Sequence, residues 1–161
     1  MKNLVERLIS TNNSLGEVAL RVPIGIIFIA HGAQKLFAWF GGYGLEGTGQ
    51  YMASLDLNPG YLMALMAGSA EFFGGIALLI GLLVRPAGIV LAFTMFVAIF
   101  TAHIENGLFM SNNGYEYALA LFAVTLSLAF NGAGKYSFDY YIGQKLNTIS
   151  YVRQSYEPVR N

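Results

Sequence analysis

Four long apolar runs dominate this 161-residue chain: Leu20–Phe40, Gly60–Leu83, Pro86–Ile104 and Tyr115–Phe130. A bilayer's hydrocarbon core takes about 20 apolar helical residues, with a range of about 17–25, so each run spans it or nearly does. The fourth is the shortest and draws on its flanks. A soluble domain carries roughly a quarter of its residues as charges. Here only 11% are charged and 55% are hydrophobic, too little charge for a wetted surface. Lipid offers no partners to unpaired backbone groups, so the runs are expected as helices. A membrane barrel needs alternating segments of about ten residues, and these runs do not alternate. The expected fold is therefore all-α, an integral membrane four-helix bundle.

Turn-forming stretches separate the runs: "GGYGLEGTG" and "LNPG", then "RP", then "NGLFMSNNG", then "NGAGK". The "RP" pair leaves almost no loop, which predicts a tight antiparallel hairpin of the second and third helices. The glycine-rich "GGYGLEG" follows a helix rather than a strand, so it is no dinucleotide fingerprint. It reads as a loop that dips into the membrane or covers a pocket. Trp39, with Phe37, Phe40 and Tyr43, reads as an aromatic belt at the outer headgroups.

Charge sets the orientation. Eight of the nine basic residues (Lys2, Arg7, Arg21, Arg85, Lys135, Lys145, Arg153 and Arg160) fall on one side of the expected bundle, and the loops on the other side have none. The positive-inside rule then places both termini in the cytoplasm. Residues 1–19 become a cytoplasmic segment, 20–140 the four-helix domain and 141–161 a polar cytoplasmic tail. Val22–Ala30 followed by "HGA" has the length of a signal-peptide core, but the polar leader before it is too long, so it reads as an uncleaved span. The leader's "LVERLI" is amphipathic and reads either as a surface-lying helix or as a frayed terminus. Nine basic against nine acidic residues give no net charge and no argument for nucleic-acid binding. The absence of cysteine excludes disulfides, thiolate-ligated metals and iron–sulfur clusters within the chain. Two histidines give little support to a haem or zinc site.

Against that apolar background, "MAGSAEFFGGIALLIGLL" carries Glu71 near its middle. At about 1.5 Å rise per residue, Glu71 lies about 16 Å from the outer end of its helix, close to the bilayer midplane. On the first helix Lys35 lies about 7 Å and His31 about 13 Å inside the outer end. His103 closes the third helix and Glu116 opens the fourth. All four helices thus place polar groups in the outer half, and a common pocket would account for this. Glu71 shares a helical stripe with Ala64, Gly68 and Gly75, while Arg21, Gly25, Phe28, Gly32 and Lys35 form another, flanked by His31 and Gln34. Small residues allow close helix approach, so the two stripes are expected to meet. A midplane carboxylate costs several kcal/mol unless neutralised, and Lys35 or His31 is the natural partner. The pair either serves a functional pocket or fixes helix register. For His103 and Glu116 a solvated or headgroup-facing place at the interface competes with a site role.

The blocks "LRVPIGIIFIAHGAQKLFAWFGG", "AEFFGGIALLIGLLVRPAG", a histidine closing the third helix, and "NGYEYALALFAVTLSLAFNGAGKYSFD" closely resemble the DoxX family over roughly residues 17–140. The resemblance implies a small four-helix protein of the bacterial cytoplasmic (inner) membrane. It also implies kinship with membrane subunits of quinone-linked sulfur oxidation and with proteins that associate with soluble redox partners. The family pattern falls on Arg21, Gly25, His31, Gly32, Lys35, Glu71, Gly74, Gly75, Gly81, Arg85, Glu116, Gly132 and Gly134. Its polar members are taken as the pocket already reached from depth.

Three functional classes fit. In the first, the protein is a membrane subunit of a redox system whose pocket binds a quinone head. Glu71, His31 and Lys35 are then the candidate catalytic residues, with His31 and Lys35 donating to quinone carbonyls and Glu71 relaying a proton. Phe28, Gln34, His103 and Glu116 are candidate cofactor contacts, and electrons come from soluble redox proteins. In the second, it is a small proton-linked carrier, against which four helices without an inverted repeat count unless it forms a homo-oligomer. In the third, it is a non-catalytic membrane scaffold or assembly partner. Membrane lipid is a neighbour in all three.

Overall fold

The computed structural model describes residues 4–155 of the chain, so Lys2 and Arg160 lie outside the described residues. The described residues form helices and turns: α1 (Leu4–Leu8), α2 (Gly16–Phe37), α3 (Gly44–Ser54), α4 (Gly60–Ile80), α5 (Val84–Ala98), α6 (Glu116–Asn131) and α7 (Phe138–Ser155). A π-helical turn, Ile99–His103, and a 3₁₀ turn, Ile104–Asn106, prolong α5. Three helices are long and apolar enough to cross a membrane: α2 with 22 residues, α4 with 21 and α5 with its extension at 23. The apolar helix α6 has 16 residues, about 24 Å of rise against a core of about 30 Å.

Small residues set the helix pairing, as the stripes predict. A Cβ added at Gly75 would lie 2.7 Å from the Ile29 amide nitrogen and 2.8 Å from the Gly25 carbonyl oxygen, so α2 and α4 touch backbone to backbone. Gly88 makes the same contact between α5 and α6, where a Cβ would lie 2.7 Å from the Thr125 carbonyl oxygen. Phe28, Leu78, Leu91, Met95, Leu121 and Leu128 fill the space between the two pairs. Ile26, Phe73, Ile89, Phe93, Phe96 and Phe130 point outward, the surface a helix offers to lipid rather than to water.

Two expectations change. The glycine-rich stretch after the first span is not a loop: residues 44–54 form α3, lying across the ends of α2 and α4. Glycine disfavours a helix, but packing overrides propensity here. Gly49 sits against the α4 start, where a Cβ would be 3.0 Å from Tyr61 Cα. The α4–α5 turn also falls earlier than "RP", at Gly81–Leu83, and Arg85 and Pro86 lie inside the first turn of α5. Proline lacks an N–H, but first-turn N–H groups have no helical partner, so it is tolerated there.

A polar clasp closes the end of the bundle that holds this turn. Arg21 is buried and donates to four carbonyls: Nε to Ala133 (2.9 Å), Nη1 to Leu78 (3.0 Å) and Leu79 (2.7 Å), and Nη2 to Tyr136 (2.7 Å). The buried Asp139 carboxylate accepts from the Leu83 and Val84 N–H groups at 2.8 and 3.0 Å, capping α5 from a distant part of the chain. Arg85 Nε donates to the Ser10 carbonyl at 2.7 Å and Nη1 to Ala129 at 3.2 Å. Gly81 (φ 72°) suits this site twice, by its left-handed backbone and because a Cβ would lie 3.1 Å from Arg21 Cζ. Arg21 and Arg85 are therefore structural fasteners. The expectation that all polar members of the family pattern gather in one pocket does not hold: the guanidiniums satisfy exposed carbonyls at helix ends, and Leu78, which Arg21 holds, lies about two helical turns, roughly 10 Å, along α4 from Glu71.

Candidate functional site

Glu71 lies on the α4 stripe that faces α2, and Lys35 lies in the last turn of α2. Lys35 Nζ donates to Glu71 Oε2 at 2.6 Å. The carboxylate side chain is 4% exposed and the lysine side chain 24%. Lys35, not His31, is thus the partner: its four-carbon stem reaches down from the helix end to the depth of Glu71. The remaining oxygen, Oε1, has no hydrogen-bond partner among the described residues.

The pair borders a cavity of about 620 Å³ enclosed by α2, α3, α4, α5 and α6. Gly74 packs against the Leu91 side chain near the α4–α5 turn, and beyond that contact the cavity occupies the space between the two helices. Its walls are mostly apolar, and Met66, Ile89, Val90 and Phe93 on its rim are also exposed on the outside of the bundle. The cavity therefore opens sideways, through lipid-facing residues. Tyr51 and Met52 of α3, followed by Leu55 and Leu57, cover the end away from the clasp. So the stretch read as a loop does lie over the cavity, but as a helix.

Of the residues singled out from sequence, Phe28, His31, Lys35, Glu71 and His103 line this cavity, and Gln34 and Glu116 do not. Gln34 Nε2 donates to the Phe40 carbonyl at 3.3 Å, while Glu116 Oε1 accepts from the Met110 N–H at 2.6 Å and so shapes the loop before α6. Phe28 is buried and forms the apolar floor. His103 is turned to the cavity by the π-helical turn, and its Nδ1 lies 2.9 Å from the Asn113 carbonyl oxygen. A carbonyl only accepts, so the neutral ring carries its proton on Nδ1 and keeps Nε2 as a free acceptor.

Sequence reasoning missed Tyr117. Its ring sits 6.2 Å from that of His31, centroid to centroid, tilted by 50°, and both line the cavity. The available signal was helical phase: Tyr117 and Leu121 are four apart and share a face, whereas Glu116 is turned away. Neither the His31 ring nitrogens nor the Tyr117 hydroxyl has a hydrogen-bond partner among the described residues. Thr94 and Thr101, also on the wall, donate to the Val90 and Val97 carbonyls of their own helix and are already satisfied. The apolar cavity thus carries a small set of polar atoms uncommitted among the described residues: one Glu71 carboxylate oxygen, the His31 ring nitrogens, His103 Nε2 and the phenols of Tyr51 and Tyr117.

The DoxX family model matches residues 16–104. A Bacillus subtilis (strain 168) protein named "Putative oxidoreductase CatD" is 33% identical over 138 residues, 84% of this chain and 95% of its own. Inner membrane protein YqjF of Escherichia coli (strain K12) is 31% identical over 137 residues, 81% of this chain and 95% of its own. An uncharacterized Haemophilus influenzae protein is 33% identical over 127 residues, 74% and 85%. No solved structure matches the chain. With three span-length apolar helices and an inner-membrane relative, this is a multi-pass protein of the cytoplasmic (inner) membrane.

Proposed function

The chain belongs to the DoxX family, and from that premise we propose that it is the membrane subunit of a redox system whose cavity receives the head of an isoprenoid quinone. The observation that carries this reading is the pairing of uncommitted polar atoms beside a buried ion pair with an apolar cavity open to lipid. Its volume of about 620 Å³ falls within the usual ligand-site range of about 300–1,000 Å³. The exposed rim at Met66, Ile89 and Phe93 gives an apolar chain a way in from the bilayer, leaving only the head to meet polar groups. One relative carries the name of an oxidoreductase.

A bound quinone supplies two-electron, two-proton carrier chemistry. The chain's own residues bind and orient: Lys35 and His31 offer donors to head-group oxygens, Tyr117 offers a further one, and Phe28 packs against the ring. Glu71 can take up or release a proton while Lys35 balances its charge. His103 Nε2, on the cavity wall at the end of the α5 extension, would exchange a proton with water at the outer surface. Electrons come from a soluble redox protein.

The same reading places four spans in the membrane, with flanking residues completing α6, and both termini in the cytoplasm. Arg21, Arg85, Lys135 and Lys145 all lie at the clasp end, and residues 41–59 and 105–115 contain no lysine or arginine.

The test uses Glu71→Gln, which keeps side-chain size but can neither ionise nor carry a proton. Quinone reduction is measured in membranes that contain the soluble partner, with protein level checked alongside. The expected result is a correctly inserted variant that no longer supports reduction. Wild-type turnover at full expression would remove the catalytic reading and leave the ion pair as a device that fixes helix register in a scaffold.

A further inference from the structure

We propose that α7 is an interfacial anchor that lies on the headgroups of anionic phospholipid in the cytoplasmic leaflet. Its first turn is bolted to the bundle where the spans end. The Asp139 N–H donates to the Gly81 carbonyl at 3.0 Å, and the Asp139 carboxylate caps α5. The helix therefore starts at the membrane surface. One side of it, with Asp139, Tyr140 and Gly143, borders a small cleft shared with Ile9, Ser10 and Thr11 of the N-terminal segment. Phe138, Tyr141, Lys145 and Thr148 recur at helical spacing on another face, and all four are exposed.

The chemistry of that face fits a bilayer surface better than water. Phe138 and Tyr141 are each 55% exposed, and the preceding Tyr136 is 73% exposed. Two lysines sit over tyrosine rings: Lys145 Nζ is 4.6 Å from the Tyr141 centroid and Lys135 Nζ 5.3 Å from that of Tyr136. Rings of this kind settle at headgroup depth, and lysines beside them extend toward phosphate. Residues 132–155 contain three basic residues and a single acid, Asp139, which is buried in the clasp. The outward charge is thus positive and complementary to an anionic leaflet.

The chain has no cysteine, so Thr148→Cys provides a unique spin-label site on the exposed face of the full-length protein. The labelled protein is placed in nanodiscs of phosphatidylcholine, with and without phosphatidylglycerol. Collision with a water-soluble nickel chelate is compared with collision with oxygen. The expected result is a label shielded from nickel in the anionic discs and more accessible in the neutral ones or at high salt. Adding Lys135→Gln or Lys145→Gln should lower the docked-to-undocked ratio about fivefold per lysine. Tyr141→Ser should release the label as well. A label at Asn112, at the far end of the bundle, should not respond. Full nickel access at Thr148→Cys in anionic discs would overturn the proposal and give this face to a soluble partner. Shielding that ignores both lipid charge and the lysine substitutions would overturn it too.

Discussion

Lys35 and Glu71 should be energetically coupled, but unequally sensitive to loss of the other. Lys35→Gln leaves a carboxylate only 4% exposed facing a neutral amide, whereas Glu71→Gln leaves an ammonium that is 24% exposed and can swing toward the cavity. In soluble cores, breaking a buried pair costs about 3–5 kcal/mol. Between membrane helices, side-chain bonds measure lower, about 0.6 kcal/mol on average and about 1.7 at most, because the unfolded state in the bilayer also finds partners. A contact of 2.6 Å between opposite charges belongs at the upper end of that scale. The expected costs are about 2–4 kcal/mol for Lys35→Gln and about 1–2 kcal/mol for Glu71→Gln, with a coupling energy of about 1–2 kcal/mol in the double variant. The assay is reversible unfolding in mixed micelles, read as a midpoint shift at constant slope. His31→Gln combined with Glu71→Gln should be close to additive, since Lys35 and not His31 holds the carboxylate. Strict additivity of Lys35→Gln and Glu71→Gln would show that the two groups do not meet, and the site built on them would fall.

Single cysteines at Asn112 and Lys145 should be labelled from opposite sides of intact cells, Asn112 from outside. Labelling of both from the same side would end the arrangement with both termini inside. At the clasp, burial pushes the Asp139 carboxyl above its ordinary range, opposed by the Val84 and Leu83 N–H groups and by Arg21 and Arg85. A raised folded value means that the folded state holds the proton more tightly. This contribution is complete below the ordinary aspartate range and is lost as pH rises through the raised value. Asp139→Asn should flatten that part of the stability–pH curve, whereas Asp139→Ala should also uncap α5 at a cost of about 1–2 kcal/mol. Equal pH dependence in wild type and Asp139→Asn would contradict the assignment.

Where periodicity carries the signal, the fold was readable. The stripes through Gly25, Phe28 and Gly32 and through Gly68, Glu71 and Gly75 place α2 against α4 because both helices keep a 3.6-residue period with small residues at the contact. Glu71 and Lys35 were readable for the same reason, together with the depth that rise per residue assigns. Helix α3 was not, since Gly44, Gly47 and Gly49 argue locally for a loop and only packing on Gly60 and Tyr61 makes them helical. Nor was the role of Arg21, whose acceptors Leu78, Leu79, Ala133 and Tyr136 are backbone carbonyls 57–115 residues away, with no side-chain signature. Gln34 and Glu116 drew attention by place, beside the stripe of the first helix and at the start of the fourth, but their bonds are local, to Phe40 and Met110. Tyr117 has the right phase and was passed over for its charged neighbour.

The most direct measurement is equilibrium binding of a short-chain quinone to the protein in nanodiscs, by dialysis of labelled ligand, in wild type, Lys35→Gln and His31→Leu. Wild type should bind at one saturable site. Loss of a charge-assisted hydrogen bond, about 1.5–3 kcal/mol, should weaken binding at least tenfold in Lys35→Gln, with a smaller loss in His31→Leu. Non-saturable uptake that follows lipid content alone, or equal affinity in all three proteins, would contradict the assignment of the cavity to a quinone head.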